Sequence, residues 1–165
     1  MQAMLWQHVG VDDIVIRQAT ESDLVAAATL RWMWVVDDKD ATPAGEREGF
    51  VEHFVRWARE SPTHTCFVAE LGGAVVGMAW LALNVRVPSP RSFDRQNGDI
   101  QSVYVVSAFR GRGIASALIS AIVESARRHG VERLTVHSSD EAVSTYARVG
   151  FESSELLRHL VLNAV

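Results

Sequence analysis

Arg110-Gly111-Arg112-Gly113-Ile114-Ala115 decides how this 165-residue chain is read, because it separates an apolar run, Val103-Tyr104-Val105-Val106, from a long stretch with helical periodicity. The order is strand, glycine-rich turn, helix N-terminus. Such a junction leaves several backbone N–H groups without intrahelical acceptors and adds the positive end of a helix dipole, a setting that attracts phosphate-like anions. Arg110 and Arg112 reinforce the charge. Gly111 and Gly113 lack a Cβ, so a bulky group can approach the main chain and the turn can take positive φ.

Spacing then narrows the choice of motif. A P-loop needs a lysine after its second glycine, and none is present; a dinucleotide fingerprint needs a third glycine where Ser116 stands. A nucleotide-binding domain is therefore a poor fit, while a plain glycine-rich connection with two solvated arginines stays open. Downstream, Tyr146-Ala147-Arg148-Val149-Gly150-Phe151 closes a short helical segment that begins near Ser138-Ser139-Asp140. Gly150 suits the left-handed residue that ends a helix. Taken alone, Tyr146 reads equally as a half-buried aromatic with its hydroxyl in water.

Together the two stretches resemble the GNAT superfamily of N-acetyltransferases: Arg110-x-x-Gly113-x-Ala115 is similar to its Arg/Gln-x-x-Gly-x-Gly/Ala signature, and Tyr146-x-x-x-Gly150-Phe151 to its Tyr-x-x-x-Gly-Phe ending. The segment from Gly98 to Arg112 and Val136-His137-Ser138-Ser139 look like bacterial members that acetylate small molecules or have no assigned substrate. Ser139 stands where many members have Asn, and Ser107 where many have Pro.

Element order agrees with that family. Ile14-Val15-Ile16 reads as a strand, Thr20 as the N-cap of a helix striped by Leu24, Ala27, Ala28 and Arg31 to about Val36, and Thr42-Pro43 as the start of a second helix with Phe50, Phe54, Trp57 and Ala58 on one face, ending before Pro62. Thr65–Leu71 and Ala74–Leu83 flank Gly72-Gly73, a hairpin signal. Residues 84–98 read as a long loop and Asp99–Val106 as the strand feeding the glycine turn. Ile114, Leu118, Ile122 and Ala126 stripe the next helix to Gly130; Arg133–His137 is a strand, and final strands are expected at Phe151–Leu156 and Arg158–Leu162. The expected fold is α/β: a mixed, mostly antiparallel central sheet with a splayed parallel strand pair and flanking helices. One domain covers residues 12–165, behind an N-terminal extension, 1–11, whose Leu5, Trp6 and Val9 could pack on a neighbour.

Composition sets outer bounds. A chain that is 48% hydrophobic can bury a sizeable core, while a net charge of −4 argues against a general nucleic-acid binder. Cys66 is the single cysteine, so no intrachain disulfide forms, and its strand context reads as a small buried hydrophobe. No apolar run approaches the ~20 residues of a membrane-spanning helix, and the first twenty residues lack a signal-peptide core. A cytoplasmic protein is expected.

The resemblance implies an N-acetyltransferase that moves an acetyl group from acetyl-CoA, with no metal, to a primary amine of a small molecule or peptide by direct attack in a ternary complex; dimers are common in such relatives. It implies main-chain contacts to the pantetheine arm from Val103, Tyr104 and Val105, a pyrophosphate seat at Arg110, Gly111, Arg112, Gly113, Ile114, Ala115 and Ser116, and further cofactor contacts from Ser139 and Tyr146. Tyr146 matches the family's general acid. Asp99, eleven residues before Arg110, stands where many members place an acidic base; a turn residue after Asn97-Gly98 is its other reading, with His137 and His53 as alternates. Asp37, Asp38, Asp40, Glu46 and Glu48 could favour a cationic acceptor or simply be solvated, and Trp32, Trp34, Trp57 and Trp80 read as core before they read as a pocket. A non-catalytic acyl-CoA-binding sensor or interaction module is the alternative function.

Overall fold

The computed structural model describes residues 13–162; the expected packing of Leu5, Trp6 and Val9 lies outside them. Five strands form one sheet in the order β1 (Ile14–Gln18), β2 (His64–Leu71), β3 (Ala74–Val85), β4 (Gln96–Val105), β5 (Leu134–Val136). All neighbours are antiparallel except β4 and β5, which run parallel. The mixed sheet with one parallel pair is the architecture the sequence predicts.

Local chemistry explains the strands. Gly72 and Gly73 take φ of 56° and 83°, the left-handed pair that a two-residue hairpin turn requires, and Leu71 pairs with Ala74 across it. From Val76 to Ala82 every residue of β3 is buried, because helices cover both faces of this central strand. On one face lies α3 (Ile114–Arg128), which buries Leu118, Ile119 and Ile122 against Phe67, Ala69, Ala79 and Leu81. On the other lie α1 (Leu24–Trp32) and α2 (Arg47–Glu60), with Ala27, Leu30, Phe54 and Trp57 packed against Val68, Met78 and Trp80. A short α4 (Val143–Val149) follows β5 and ends on Gly150 at φ 100°. Cys66 is 5% exposed, and burial pushes its thiol up to about 12, so it is an inert core side chain.

Three expected boundaries are wrong. Thr42-Pro43 does not open α2; the helix starts at Arg47, with Glu46 extended before it and Phe50 N–H bonded to the Glu46 carbonyl at 3.1 Å. Gly45 is a poor helical residue, and the apolar face that anchors the helix begins only at Phe50. The loop at 84–98 is shorter than expected, because Leu83, Asn84 and Val85 pair with Gly98, Asn97 and Gln96. Asn97-Gly98 looks like a turn but is strand: a Cβ on Gly98 would fall 2.6 Å from Leu134 Cδ2 and 2.9 Å from Leu81 Cδ1, so glycine serves close packing there. The strands expected at Phe151–Leu156 and Arg158–Leu162 do not form. A strand needs a ladder partner, and this stretch has none among the described residues: Leu156 and Leu160 are 90% and 81% exposed.

Candidate active site

The site exists because β4 and β5 part. Their ladder holds for three pairs, Gly98 with Leu134, Asp99 with Thr135 and Ile100 with Val136, and then stops. On the other side of β4, Trp80 pairs with Gln101 and Met78 with Tyr104, so Ser102 and Val103 together oppose Ala79. This is a bulge, with Ser102 at φ 53°, and it increases the local bend and twist of β4. A cleft of about 1020 Å³ opens, lined by Ser102–Val105, the turn residues Arg110, Gly111 and Gly113–Ser116, the stretch from Val136 to Ala142, and Tyr146.

The glycine turn is built as the sequence requires. Gly111 and Gly113 have φ of 75° and 78°, and a Cβ on either would meet nothing within 4 Å, so backbone conformation rather than crowding demands glycine. The bond from Ala117 N–H to the Gly113 carbonyl (3.0 Å) opens the α3 ladder, leaving the N–H groups of Ile114, Ala115 and Ser116 without helical acceptors at the cleft wall. The two arginine side chains go to different places. Arg110 donates from Nε to the Val105 carbonyl (2.8 Å) and from Nη2 to Asp38 Oδ2 (2.9 Å), while Arg112 lies over the Phe109 ring at 5.5 Å and is not part of the cleft wall. The main-chain donors and the helix dipole therefore carry most of the turn's attraction for an anion.

Tyr146 is 7% exposed, its ring edge-on to Phe151 at 5.5 Å, and it lines the cleft. Desolvation, with a smaller contribution from the Asp99 charge, pushes its phenol up to about 12. It thus stays protonated across the physiological range. Asp99 accepts hydrogen bonds from Gln101 Nε2 (3.0 Å) and Thr135 Oγ1 (3.2 Å). It alternates along β4 with Ile100, which packs into the α3 layer, so Asp99 faces the other side of the sheet and is not a cleft-lining residue. The two groups stand in electrostatic range on either side of the point where the strands part. Of the alternates, His137 lines the cleft, its ring 6.0 Å from that of His159, whereas His53 is exposed on α2 beside Arg56.

Sequence reasoning missed one wall. After α1 the chain makes a π-helical turn, Met33–Asp37, with Asp38 N–H bonded to the Met33 carbonyl at 2.8 Å. It brings Trp34 and Lys39 to the cleft and Asp38 to Tyr104 and Arg110. A single extra residue in a helical turn leaves no mark in hydrophobic spacing.

The sequence model of the acetyltransferase (GNAT) family matches residues 24–151. A glucosamine 6-phosphate N-acetyltransferase of rice is 28% identical over 123 residues, 73% of this chain and 72% of that protein. An uncharacterized N-acetyltransferase of Methanocaldococcus jannaschii is 27% identical over 121 residues, 68% of this chain, and a glucosamine 6-phosphate N-acetyltransferase of Trypanosoma brucei is 31% identical over 83 residues, 50% of it. The matched regions span only about half the length of these last two relatives, 50% and 54%. A predicted acetyltransferase of Clostridium acetobutylicum, solved with acetyl-CoA, superposes with a TM-score of 0.74 at 18% identity over 90% of this chain and 96% of that one. At that identity the likeness speaks for the fold.

Proposed function

The chain belongs to the acetyltransferase (GNAT) family, and from that premise we propose that it transfers an acetyl group from acetyl-CoA to a primary amine of a small molecule by direct attack in a ternary complex. The observation that carries this reading is the pairing, in one cleft, of a row of helix N-terminal N–H groups that lack helical acceptors with a buried phenol. The first is suited to a phosphate-bearing carrier and the second to a leaving thiolate. The name of the rice relative, a glucosamine 6-phosphate N-acetyltransferase, supports a small-molecule amine as one class of acceptor.

Acetyl-CoA supplies the activated thioester; the chain's own groups position it and move protons. The N–H groups of Ile114, Ala115 and Ser116 hold the pyrophosphate, and the main chain of Val103 and Tyr104, unpaired on the β5 side beyond Ile100, aligns the pantetheine arm. Val105 takes a smaller part, since its carbonyl already accepts from Arg110. An alkyl ammonium has a pKa near ~10.4, so the acceptor must lose a proton before it attacks. Asp99 receives that proton from the sheet face opposite Tyr146, through a water where direct contact is too long. Tyr146 then gives its proton to a thiolate whose conjugate acid lies near ~8.5, and a phenol held neutral by burial remains loaded for that step.

Release of free CoA across a library of amines tests the proposal. Wild type should turn over one structural class, and Tyr146→Phe should lower kcat by ~10²–10⁴-fold while binding acetyl-CoA as before. A chain that binds acetyl-CoA but releases CoA with no amine would be the non-catalytic module instead.

A further inference from the structure

Two cations converge on Trp34. Lys39 Nζ lies 4.7 Å from the centroid of its ring and the Arg31 guanidinium carbon 4.8 Å, while Trp34 itself stacks on Tyr104 of β4 at 5.9 Å and 25°. Neither cation has an ion pair with a carboxylate among the described residues. Asp38, next to Lys39 in the chain, accepts instead from the Tyr104 hydroxyl (3.0 Å) and from Arg110 (2.9 Å). Arg31 continues the core-facing stripe of α1, and burial lowers its pKa, so it is desolvated without a counter-charge. Partly buried charge of this kind is costly unless an anion completes the site.

Position along β4 says which anion. Strands rise ~3.3 Å per residue, so Tyr104, four residues beyond the last pair with β5 at Ile100, lies on the order of 10 Å from the point where the strands part. It lies beside the glycine turn, with the Arg110 guanidinium carbon 5.4 Å from its ring centroid. The Trp34 cluster thus stands at the phosphate end of the cleft, away from the reacting end. An anion there belongs to the carrier rather than to the acceptor.

We propose that Lys39, supported by Arg31 through Trp34, binds a phosphate of coenzyme A from the wall facing the glycine turn, and that Asp38 latches this wall to Arg110. The inference rests on the acyl-CoA reading above. The π-helical turn is what makes it possible, since the wider Asp38-to-Met33 bond carries Trp34 and Lys39 to the cleft and Asp38 to Arg110 as one unit.

Calorimetric titration of the full chain with three thioesters tests it: acetyl-CoA, its 3′-dephospho form, and S-acetylpantetheine, which has no phosphate. Lys39→Met should weaken acetyl-CoA by ~5-fold and flatten the salt dependence of binding, Lys39→Arg should restore most of the affinity, and S-acetylpantetheine should bind wild type and variant alike. If the dephospho thioester shows the same loss, the phosphate is the pyrophosphate; if the loss disappears, it is the 3′-phosphate; either result supports the inference. Lys39→Met binding acetyl-CoA like wild type, or losing equal affinity for S-acetylpantetheine, overturns it. Wild type that binds none of the three overturns the acyl-CoA reading as well, a pattern distinct from those two.

Discussion

Gly113 and Tyr146 are the residues on which the proposed chemistry rests, and each was visible in the sequence for a physical reason. Gly113 holds φ 78° in open space, so Gly113→Ala should cost about 1 kcal/mol of stability from backbone conformation alone and weaken acetyl-CoA binding further by shifting the N–H cradle. Thermal unfolding and titration of the same variant separate the two effects. For Tyr146 the raised pKa sets the sign of the pH dependence. The donor must be protonated, and burial moves its loss of the proton from ~10 to about 12, so the alkaline limb of the kcat profile below pH 11 should be the same with or without the hydroxyl. A limb near pH 10 that vanishes in Tyr146→Phe would show that the phenol is not desolvated as described. Arg110 was less legible. Its place in the motif is plain, but its pairing with Asp38, 72 residues earlier, depends on tertiary contact.

Among the elements, the junction of β1 and α1 shows how sequence signals and tertiary bonds combine. Thr20 stands at the N-cap position of the 3₁₀ turn Glu21–Asp23 that leads into α1, while Asp23 takes that position at α1 itself, and the Thr20 N–H (2.7 Å) and hydroxyl (2.8 Å) both donate to Asp23. Arg17 then reaches the same carboxylate at 2.7 and 2.9 Å and Glu70 on β2 at 2.7 Å, joining β1, β2 and the entry to α1. The Arg17 guanidinium holds the Asp23 carboxyl well below the usual carboxylate range. Because the folded value is depressed, this network stabilises fully above the unfolded carboxylate pKa of ~3.9 and fades as pH falls through the lower folded value. Asp23→Asn should cost about 2 kcal/mol at pH 7, and its difference from wild type should shrink below pH 4 in urea unfolding. Elements defined by local chemistry, such as the Gly72-Gly73 hairpin and the helix ending at Gly130, were readable. The start of α2, the extension of β4 through Asn97-Gly98 and the π-helical turn were not, because packing and ladder pairing override local propensity there.

Across the whole molecule, the five-stranded sheet of the described residues has one parallel pair, β4 and β5, and β4 bulges just beyond the end of their ladder, an irregularity that on the proposed reading separates cofactor wall from acceptor face. No helix among the described residues is long and apolar enough to cross a membrane. The order of elements up to Gly150 was legible because apolar periodicity and glycine turns punctuate it; the stretch after Phe151 was not, since its apolar residues find no neighbouring strand. The proposed chemistry needs a coenzyme carrier seated between β4 and β5. The most direct measurement is unfolding of the full chain in the presence of acetyl-CoA, NAD or ATP. Acetyl-CoA alone should raise stability, by about 2.7 kcal/mol at a hundred times its dissociation constant. No stabilisation by saturating acetyl-CoA, or an equal effect from NAD or ATP, would contradict the proposal.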